Sequence, residues 1–435
     1  MTLAPARPAL DSWPGLAGVP TSPRTVVSAT VAKRLFLSAV KRLDVTVTID
    51  GPRPRTVGRG GPRMTVRRPE EFFARLGRDQ LIGFGESYLT GAWEAEDLGA
   101  FLGVLAAEIQ DLVPQRLQRL RAAVVRRPPR TDRNTEDNTR DNIAHHYDLS
   151  NDLFHLFLDP TLSYSSALFD TAVLDRGNHH QATVPVPGGD LAEAQARKIE
   201  RLLDEAGVGQ GTRVLEIGTG WGELAIRAAR RGATVRSVTL SREQQALARA
   251  RIAEAGFSDR VDVDLCDYRA VSTGARSGEQ YDAVLSVEMI EAVGLEFWPI
   301  YFRTIDRVLA PGGTVAIQAI TMPHDRMLAT RNTYTWIHKY IFPGGFLPSV
   351  RAIEEVTRAH TSLRLTERLS FGQHYAETLH QWDQRFLAAS EEVLGLGFDE
   401  TFLRMWHFYL EYSRGGFSSG YLDVQQLTFT RADAR

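Results

Sequence analysis

Residues 213–231 read RVLEIGTGWGELAIRAARR, and this stretch decides the fold class. A short apolar run typical of a buried strand ends in three glycines, and a helical apolar pattern follows them. Glycines at a strand-to-helix turn permit a tight bend and close approach of the backbone to a ligand, and the helix N-terminus offers free N–H groups. The glycine pattern alone is a weak signal, because many such turns are glycine-rich for packing reasons only.

Further strand-like runs follow and alternate with helical patterns: TVRSVTL, RVDVDLCD, YDAVLSV and GTVAIQAI. This alternation, from about Ile143 onward, predicts an α/β fold with a doubly wound, Rossmann-like parallel sheet. The acidic residue Glu216 lies within the first strand, and VTLSREQ lacks the acidic residue that binds the ribose in a dinucleotide site. The pattern therefore favours S-adenosylmethionine over NAD, with Asp267 of CDYR expected beside the adenine.

The 435 residues are enough for two domains. We expect a disordered leader over residues 1–28, a small N-terminal α+β domain over 29–125, a linker over 126–142, and the α/β domain over 143–435. Pro, Asn and charged residues interrupt the apolar pattern in RRPPRTDRNTEDNTRDN, which marks the linker. By composition, residues 175–190 are expected to form an exposed loop.

Composition excludes several classes of protein. The formal net charge of -2 gives no indication of a nucleic-acid partner. Cys266 is the sole cysteine, so an internal disulfide is excluded. No apolar run reaches transmembrane length, and Pro and Gly interrupt the first residues where a signal peptide would be apolar. Adjacent histidines such as His145 and His146 point in different directions, so we expect no metal site. These features predict a cytoplasmic protein.

Several ordered motifs resemble the cyclopropane-fatty-acid synthase family, which alkylates unsaturated lipid acyl chains with S-adenosylmethionine. They are HYDLSNDLFHLFLDPTLSYSSALF (146–169), EIGTGWGEL, VTLSREQ, SVEMIEAVG, KYIFPGGFLPS (339–349) and FGQHYAETLHQWDQRF (371–386). FGESYLTGAWEAEDL (84–98) also resembles the smaller N-terminal domain of the longer bacterial members. The resemblance implies a class I methyltransferase sheet and a cofactor site made of Tyr164, Ser165, Glu216, Gly218, Thr219, Gly220, Gly222, Thr239, Leu240, Gln244, Asp267 and Tyr268.

This chain also departs from the family pattern. In the ring-forming members a Cys, a His, a Glu and a Tyr surround a bicarbonate ion that serves as the base. Here Ser166 and Gln318 replace the Cys and the His, which argues against bicarbonate, and only Glu291 and Tyr375 remain. Glu288 stands where relatives usually have Gly. The motifs SSA, EMIEA and IQAIT resemble the branch that makes precursors of tuberculostearic (10-methylstearic) acid.

The chemistry itself constrains the roles of these residues. An alkene is a weak nucleophile, so methyl transfer from a sulfonium requires alignment, exclusion of water and stabilisation of a carbocation. Tyr164 and Tyr375 could stabilise the cation through their rings, and Glu291 through its charge. A carboxylate in an apolar setting is a competent base, so either Glu288 or Glu291 could accept the final proton. Structural roles for the two carboxylates and for Tyr375 remain open alternatives.

By resemblance, the chain transfers a methyl(ene) group to the double bond of an oleoyl chain in a phospholipid, giving a 10-methylene chain. A separate flavin- or nicotinamide-dependent reductase would then produce the 10-methylstearoyl chain. The alternative product is a cyclopropane at the same bond. We expect reversible docking at the inner membrane face, with the small N-terminal domain and the Arg-bearing segment near residues 114–130 as candidate contacts, and a homo-oligomer is possible. A small-molecule methyltransferase and a non-catalytic lipid-binding protein are the rival classes.

Overall fold

The computed structural model describes residue 8 and residues 13–108, 150–175, 180–186, 188–273 and 276–432. The predicted linker over 126–142 and the Arg-bearing segment near 114–130 lie outside these residues. The chain divides into two compact units. The first comprises Met1–Arg127, Thr333–Ile341 and Leu379–Tyr421, and the second comprises Pro128–Asn332, Phe342–Thr378 and Leu422–Arg435.

The described helices are, in chain order, α1 (Pro23–Val40), α2 (Pro69–Leu89), α3 (Leu98–Ala107), α4 (Asn151–Phe157), α5 (Leu191–Glu205), α6 (Glu223–Arg230), α7 (Arg242–Glu254), α8 (Ile290–Val293), α9 (Trp298–Val308), α10 (His324–Thr330), α11 (Trp336–Tyr340), α12 (Val350–His360), α13 (Gly372–Ala388), α14 (Ser390–Gly395) and α15 (Glu400–Ser418). The described strands are β1 (Thr46–Ile49), β2 (Arg55–Gly58), β3 (Arg63–Val66), β4 (Trp93–Ala95), β5 (Thr171–Asp175), β6 (His180–Pro185), β7 (Arg213–Ile217), β8 (Thr234–Thr239), β9 (Val261–Leu265), β10 (Tyr281–Val287), β11 (Leu309–Thr321), β12 (Leu363–Ser370) and β13 (Asp423–Arg431). None of these described helices is long and apolar enough to cross a membrane.

The first unit is built on a small mixed sheet with strand order β2-β1-β3-β4. The alternation in DVTVTID is confirmed as β1, whose Val47 and Ile49 are buried. Trp93 of β4 packs against Phe84 and Tyr88 of α2, with ring centroids 4.5 and 5.0 Å apart. The alternating strand residues and the aromatic side chains of α2 thus form one core.

The predicted disorder of the leader is wrong from Trp13 onward. The Trp13 indole donates a hydrogen bond to the Asp399 carboxylate at 2.7 Å, and Leu16 is only 2% exposed. The buried Arg75 donates to the carbonyl oxygen of Leu16 at 2.6 Å. Helix α1 then begins at Pro23, with the Ser22 side chain as its N-cap. Tertiary partners distant in sequence therefore order a segment whose composition resembles that of a linker.

The predicted single domain over 143–435 is also wrong, because residues 379–421 belong to the first unit. The Gly99 N–H at the start of α3 donates to Glu411 of α15 at 2.7 Å, and Arg404 donates to the carbonyl oxygen of Tyr88 at 2.8 Å. A Cβ on Gly415 would lie 2.8 Å from the backbone nitrogen of Gly103. The two helix backbones meet at glycines, and a pattern along the chain cannot show such a contact.

The second unit contains, within the described residues, a nine-stranded sheet with the order β5-β6-β12-β13-β11-β10-β7-β8-β9. The five strands from β9 to β11 run parallel, which confirms the doubly wound, Rossmann-like prediction. Strand β13 is antiparallel to both of its neighbours, and the sequence patterns did not indicate it. The loop predicted over 175–190 is wrong in part, because β6 pairs with β5 and β12.

Alternate residues of the central strand β7 enter different cores. Leu215 and Ile217 belong to the cluster that contains Trp298 of α9, whereas Val214 belongs to the cluster that contains Leu224 of α6. Both faces of the sheet are therefore covered by helices, as expected for parallel strands. Ligands of such sheets bind at the carboxyl ends of the strands, where the glycine loop follows β7.

Candidate active site

The three glycines after β7 have different roles. All have positive φ, at 100° for Gly218, 52° for Gly220 and 90° for Gly222. A Cβ on Gly218 would lie 2.6 Å from Met289, and one on Gly222 would lie 3.3 Å from Ala248. A Cβ on Gly220 would meet nothing within 4 Å. Gly218 and Gly222 therefore permit close packing, and Gly220 leaves open space for a ligand beside the backbone.

A cavity lies against this loop and contains most of the predicted cofactor residues. Those lining it are Tyr164, Ser165, Glu216, Gly218, Thr219, Gly220, Thr239, Leu240, Gln244 and Tyr268. Gly222 and Asp267 do not line the cavity. Gly222 packs against α7, and Asp267 accepts hydrogen bonds from the backbone and the guanidinium of Arg269. The predicted contact of Asp267 with the adenine remains a prediction.

The cavity offers hydrogen-bonding groups that suit a polar ligand. The carboxyl of Glu216 is buried and accepts a hydrogen bond from Ser237, whose hydroxyl lies 2.7 Å from that of Thr219. Burial raises the pKa of Glu216 to about 8. The Thr239 hydroxyl donates to the side-chain oxygen of Gln244 at 3.0 Å. With the open space at Gly220, this set fits the ribose hydroxyls and amino-acid moiety of S-adenosylmethionine.

Glu288 is the one predicted catalytic residue that lines the same cavity. Its carboxylate accepts hydrogen bonds from the Ser166 N–H at 2.9 Å, the Gln318 amide at 2.8 Å and the Tyr375 hydroxyl at 2.8 Å. Its φ of 50° is a conformation that costs a non-glycine residue roughly 1 kcal/mol. The structure thus brings four of the five predicted catalytic residues into direct contact at one partly buried carboxylate.

A chain of amides orients Gln318 toward Glu288. Gln318 and Gln426 face each other across β11 and β13, and the Gln426 amide nitrogen donates to the Gln318 side-chain oxygen at 3.2 Å. The side-chain oxygen of Gln426 in turn accepts from Arg201 at 2.6 Å. Because Arg201 can only donate, the orientation of both amides is determined. The Gln318 NH₂ group must therefore point at the carboxylate.

Glu291, the fifth predicted catalytic residue, has a different environment. One carboxyl oxygen accepts from the Ile320 N–H at 2.5 Å, and the other is buried with no hydrogen-bond partner among the described residues. Burial and, second, the charge of Glu288 raise the pKa of Glu291 to about 8. Burial also raises the pKa of Glu288, but its three donors and the cation of Lys198 oppose this shift. More groups therefore favour the ionised form of Glu288 than that of Glu291.

Sequence reasoning missed Lys198 and Gln195 on α5. Lys198 is 2% exposed, lines the cavity and donates to the Ser165 hydroxyl at 2.7 Å, and Gln195 donates to the Ser165 carbonyl at 2.8 Å. Burial lowers the pKa of Lys198 to about 8, against the attraction of Glu288. The sequence did contain a signal for these two residues. Their spacing from the buried Leu191 and Leu202 places both polar side chains on the apolar face of α5.

Fold and cavity together define an S-adenosylmethionine-dependent methyltransferase with a class I sheet. The family model described as mycolic acid cyclopropane synthetase matches residues 134–427. The chain belongs to this family, and it is an S-adenosylmethionine-dependent lipid methyltransferase.

Individual relatives agree with this assignment. The chain is 52% identical over 423 residues to tuberculostearic acid methyltransferase UfaA1 of Mycobacterium tuberculosis, covering 97% of this chain and 96% of the relative. It is 34% identical over 371 residues to cyclopropane-fatty-acyl-phospholipid synthase of Escherichia coli, covering 84% and 87%. These matches confirm the family resemblance found in the motifs, and the first confirms its closeness to the tuberculostearic branch.

Solved structures agree as well. The cyclopropane synthase MmaA2 of Mycobacterium tuberculosis matches with a TM-score of 0.56 and 29% identity, covering 67% of this chain and 97% of that chain. The mycolic acid cyclopropane synthase CmaA1 complexed with SAH and CTAB matches with a TM-score of 0.57 at the same identity and coverage. The class I fold and the S-adenosylmethionine cofactor predicted from the sequence are thus confirmed.

The open space at Gly220 can be tested directly. We expect Gly220→Val to weaken S-adenosylmethionine binding at least ~10-fold in calorimetry, because its side chain would occupy that space. The matched control is Gly207→Val, since Gly207 also has a positive φ and open space but does not line the cavity. It should cost similar backbone strain and leave affinity unchanged. Equal affinities for the two variants would contradict the assignment of the loop.

The raised pKa of Glu291 predicts a pH-dependent stability difference. A carboxyl with a pKa near 4.5 in the unfolded chain and about 8 in the folded protein stabilises the fold at low pH, and this contribution is lost as pH rises through 8. Glu291→Gln cannot ionise. Its Tm relative to wild type should therefore rise between pH 5 and pH 9, by about 2 °C or more.

The control for this measurement is Glu254→Gln, which removes an exposed carboxyl from α7. Its Tm difference from wild type should stay constant over the same pH range. If the Tm difference between Glu291→Gln and wild type were also independent of pH, Glu291 would be ionised in the folded protein.

Proposed function

We propose that this chain transfers a methyl group from S-adenosylmethionine to the double bond of an oleoyl chain in a phospholipid, and that Glu288 then removes a proton to leave a 10-methylene chain. The observation that carries the proposal is a partly buried carboxylate, held by three donors, that lines the cofactor cavity. The similarity to tuberculostearic acid methyltransferase UfaA1 supports the product branch.

When bound, S-adenosylmethionine supplies an electrophilic methyl group on a sulfonium. The π electrons of the alkene form the new C–C bond at C10, the C–S bond breaks with its electron pair left on sulfur, and C9 becomes cationic. A hydride shift from C10 to C9 moves the cation to C10. Glu288 takes a proton from the new methyl group, and the C–H electron pair forms the exocyclic double bond. One methyl group enters and one proton leaves, so no oxidant or reductant is required.

The two glutamates have different surroundings, which supports different roles for them. Glu288 has three donors and the nearby cation of Lys198, which favour its ionised form against the effect of burial, so we propose Glu288 as the group that accepts the proton. Glu291 has one donor to one oxygen, and its raised pKa keeps it protonated beside Glu288. Two carboxyls whose environments push their pKa values apart are the usual arrangement for distinct acid and base roles. These differences support Glu288 as the proposed base among the two candidates that the sequence left open.

The same geometry bears on bicarbonate. By family resemblance, the Cys and Tyr positions, here Ser166 and Tyr375, and the His position, here Gln318, belong to a bicarbonate site. In this chain all three donate to the Glu288 carboxylate. We infer that Glu288 supplies as a side chain the carboxylate that bicarbonate supplies in the ring-forming relatives. The cation would then be quenched by a base fixed to the protein.

Completion of the saturated methyl branch requires a hydride. The cavity at the glycine loop is the cofactor site of this chain and is assigned to S-adenosylmethionine. We propose that a separate flavin- or nicotinamide-dependent reductase converts the 10-methylene chain to the 10-methylstearoyl chain. The acyl substrate is proposed to be presented at a membrane surface.

The product distinguishes this proposal from ring formation. Expression of the chain alone in a host that supplies oleoyl phospholipid should give a C18 chain with a 10-methylene group, identified by mass spectrometry after oxidative cleavage of the double bond. Co-expression with a reductase should convert it to the methyl branch. A cyclopropane as the main product would assign the chain to the alternative function, ring formation at the same bond.

A second experiment isolates the role of Glu288. Glu288→Gly should fold well, since φ is already positive, and should lower turnover at least ~100-fold, the usual scale for loss of a positioned base. The variant leaves the donors of Ser166, Gln318 and Tyr375 around an open space. Added formate, acetate or bicarbonate should therefore restore part of the activity in degassed buffer.

The matched control is Glu288→Gln, which fills the same space without a base and should not respond to added anions. S-adenosylmethionine affinity should be unchanged in both variants. Wild-type turnover of Glu288→Gly in the absence of added anions would show that another group removes the proton.

A further inference from the structure

Helix α1 has two apolar faces, and only one of them is packed. On the inner face, Phe36 meets Phe72 of α2 with ring centroids 5.2 Å apart. On the outer face, Val27, Val31 and Leu35 are 67%, 51% and 47% exposed. A spacing of four residues aligns these three side chains along one side of the helix. They form an exposed apolar stripe, here called the α1 stripe.

The charged residues in the segment that contains the α1 stripe are all basic. Residues 13–43 contain no Asp or Glu, and their cations are Arg24, Lys33, Arg34, Lys41 and Arg42. At 100° per residue, Arg24 and Arg34 lie on the same side of the helix as Val31, within about 60° of it. Both are exposed. The exposed charges on this side of the helix are thus basic, although the whole chain has a formal net charge of -2.

We propose that α1 docks on an anionic lipid bilayer, with the α1 stripe inserted at the boundary between headgroups and acyl chains. An apolar stripe flanked by Arg and Lys is the pattern of helices that lie in the plane of a membrane surface. Anionic headgroups attract such cations, and the attraction falls off within a Debye length. This inference rests on the proposed function, because a phospholipid acyl chain is the substrate that such docking would deliver.

A second copy of the chain fits this surface less well. A two-fold contact through the α1 stripe would place the same cations opposite each other, with no acidic residue in 13–43 to compensate. A bilayer with anionic lipid supplies the missing negative charge. Charge complementarity therefore favours lipid as the occupant.

The test measures vesicle binding of the full chain. Wild type should float with vesicles of phosphatidylcholine containing 30% phosphatidylglycerol, and bind much less to phosphatidylcholine alone or at high salt. Val27→Glu combined with Val31→Glu should lower binding to the anionic vesicles at least ~10-fold, because both charges would enter the apolar layer. Glutamate is a good helix former, so α1 should persist, which circular dichroism can verify.

Two variants sharpen the result. Val186→Glu changes a valine that is 56% exposed in the second unit, and it should bind as wild type does. Arg24→Ala combined with Arg34→Ala should weaken binding to the anionic vesicles only. Unchanged binding of the Val27/Val31 variant would overturn the proposal. The proposal would also be overturned if this variant still bound vesicles but no longer formed dimers in sedimentation. That result would show that the surface is a contact between copies of the chain.

Assays of methyl transfer distinguish a role in membrane docking from a role in catalysis. Methyl transfer to oleoyl phospholipid in detergent micelles should be unaffected by the Val27/Val31 variant, whereas transfer to anionic vesicles should fall with binding. Equal loss in micelles and vesicles would overturn the docking role. A wild-type chain that is inactive on both substrates but binds vesicles through the α1 stripe would overturn the proposed function and support docking.

Discussion

The site depends on the cost of removing one carboxylate from much of its contact with water. Glu288 is partly buried directly after β10, and a charge in such a place persists only where donors and opposite charge replace the lost hydration. The donors come from Ser166, Gln318 and Tyr375, which are 122, 30 and 87 residues away in sequence. A single side chain therefore joins β11, the start of α13 and the segment before β5.

The support for this carboxylate extends well beyond its direct contacts. Gln318 can donate to it only because Gln426 and Arg201 determine the orientation of its amide. Lys198 adds a buried cation in the same cavity. Antiparallel pairing of β13 with β11 positions Gln426, so the strand that the sequence patterns failed to indicate is one that the site requires. Positioning groups of this kind hold a functional side chain within the narrow range of geometry that chemistry needs.

The sequence predicted the helices and strands of the second unit well, but it predicted the division of the chain into domains poorly. Strands β7 to β11 are short apolar runs next to helical patterns, and local periodicity is sufficient to recognise them. The ordering of Trp13 and Leu16, and the grouping of α15 with α3, arise from contacts between segments that are distant in sequence, such as Gly99 with Glu411. Local propensity and composition do not depend on such contacts. For that reason the proline- and glycine-rich leader was predicted to be disordered.

By itself, the sequence determined the class of fold, the glycine loop, the family and the residue types available for catalysis, because each of these appears in contiguous motifs. It also showed that Glu288 is an unusual residue among apolar neighbours. Only the tertiary structure favours one glutamate over the other as the proposed base. That choice depends on the number of donors that reach each carboxyl group and on the charge of Lys198, and these are properties of segments brought together by the sheet. Electrostatic work depends on distance in space, and distance along the chain does not determine it.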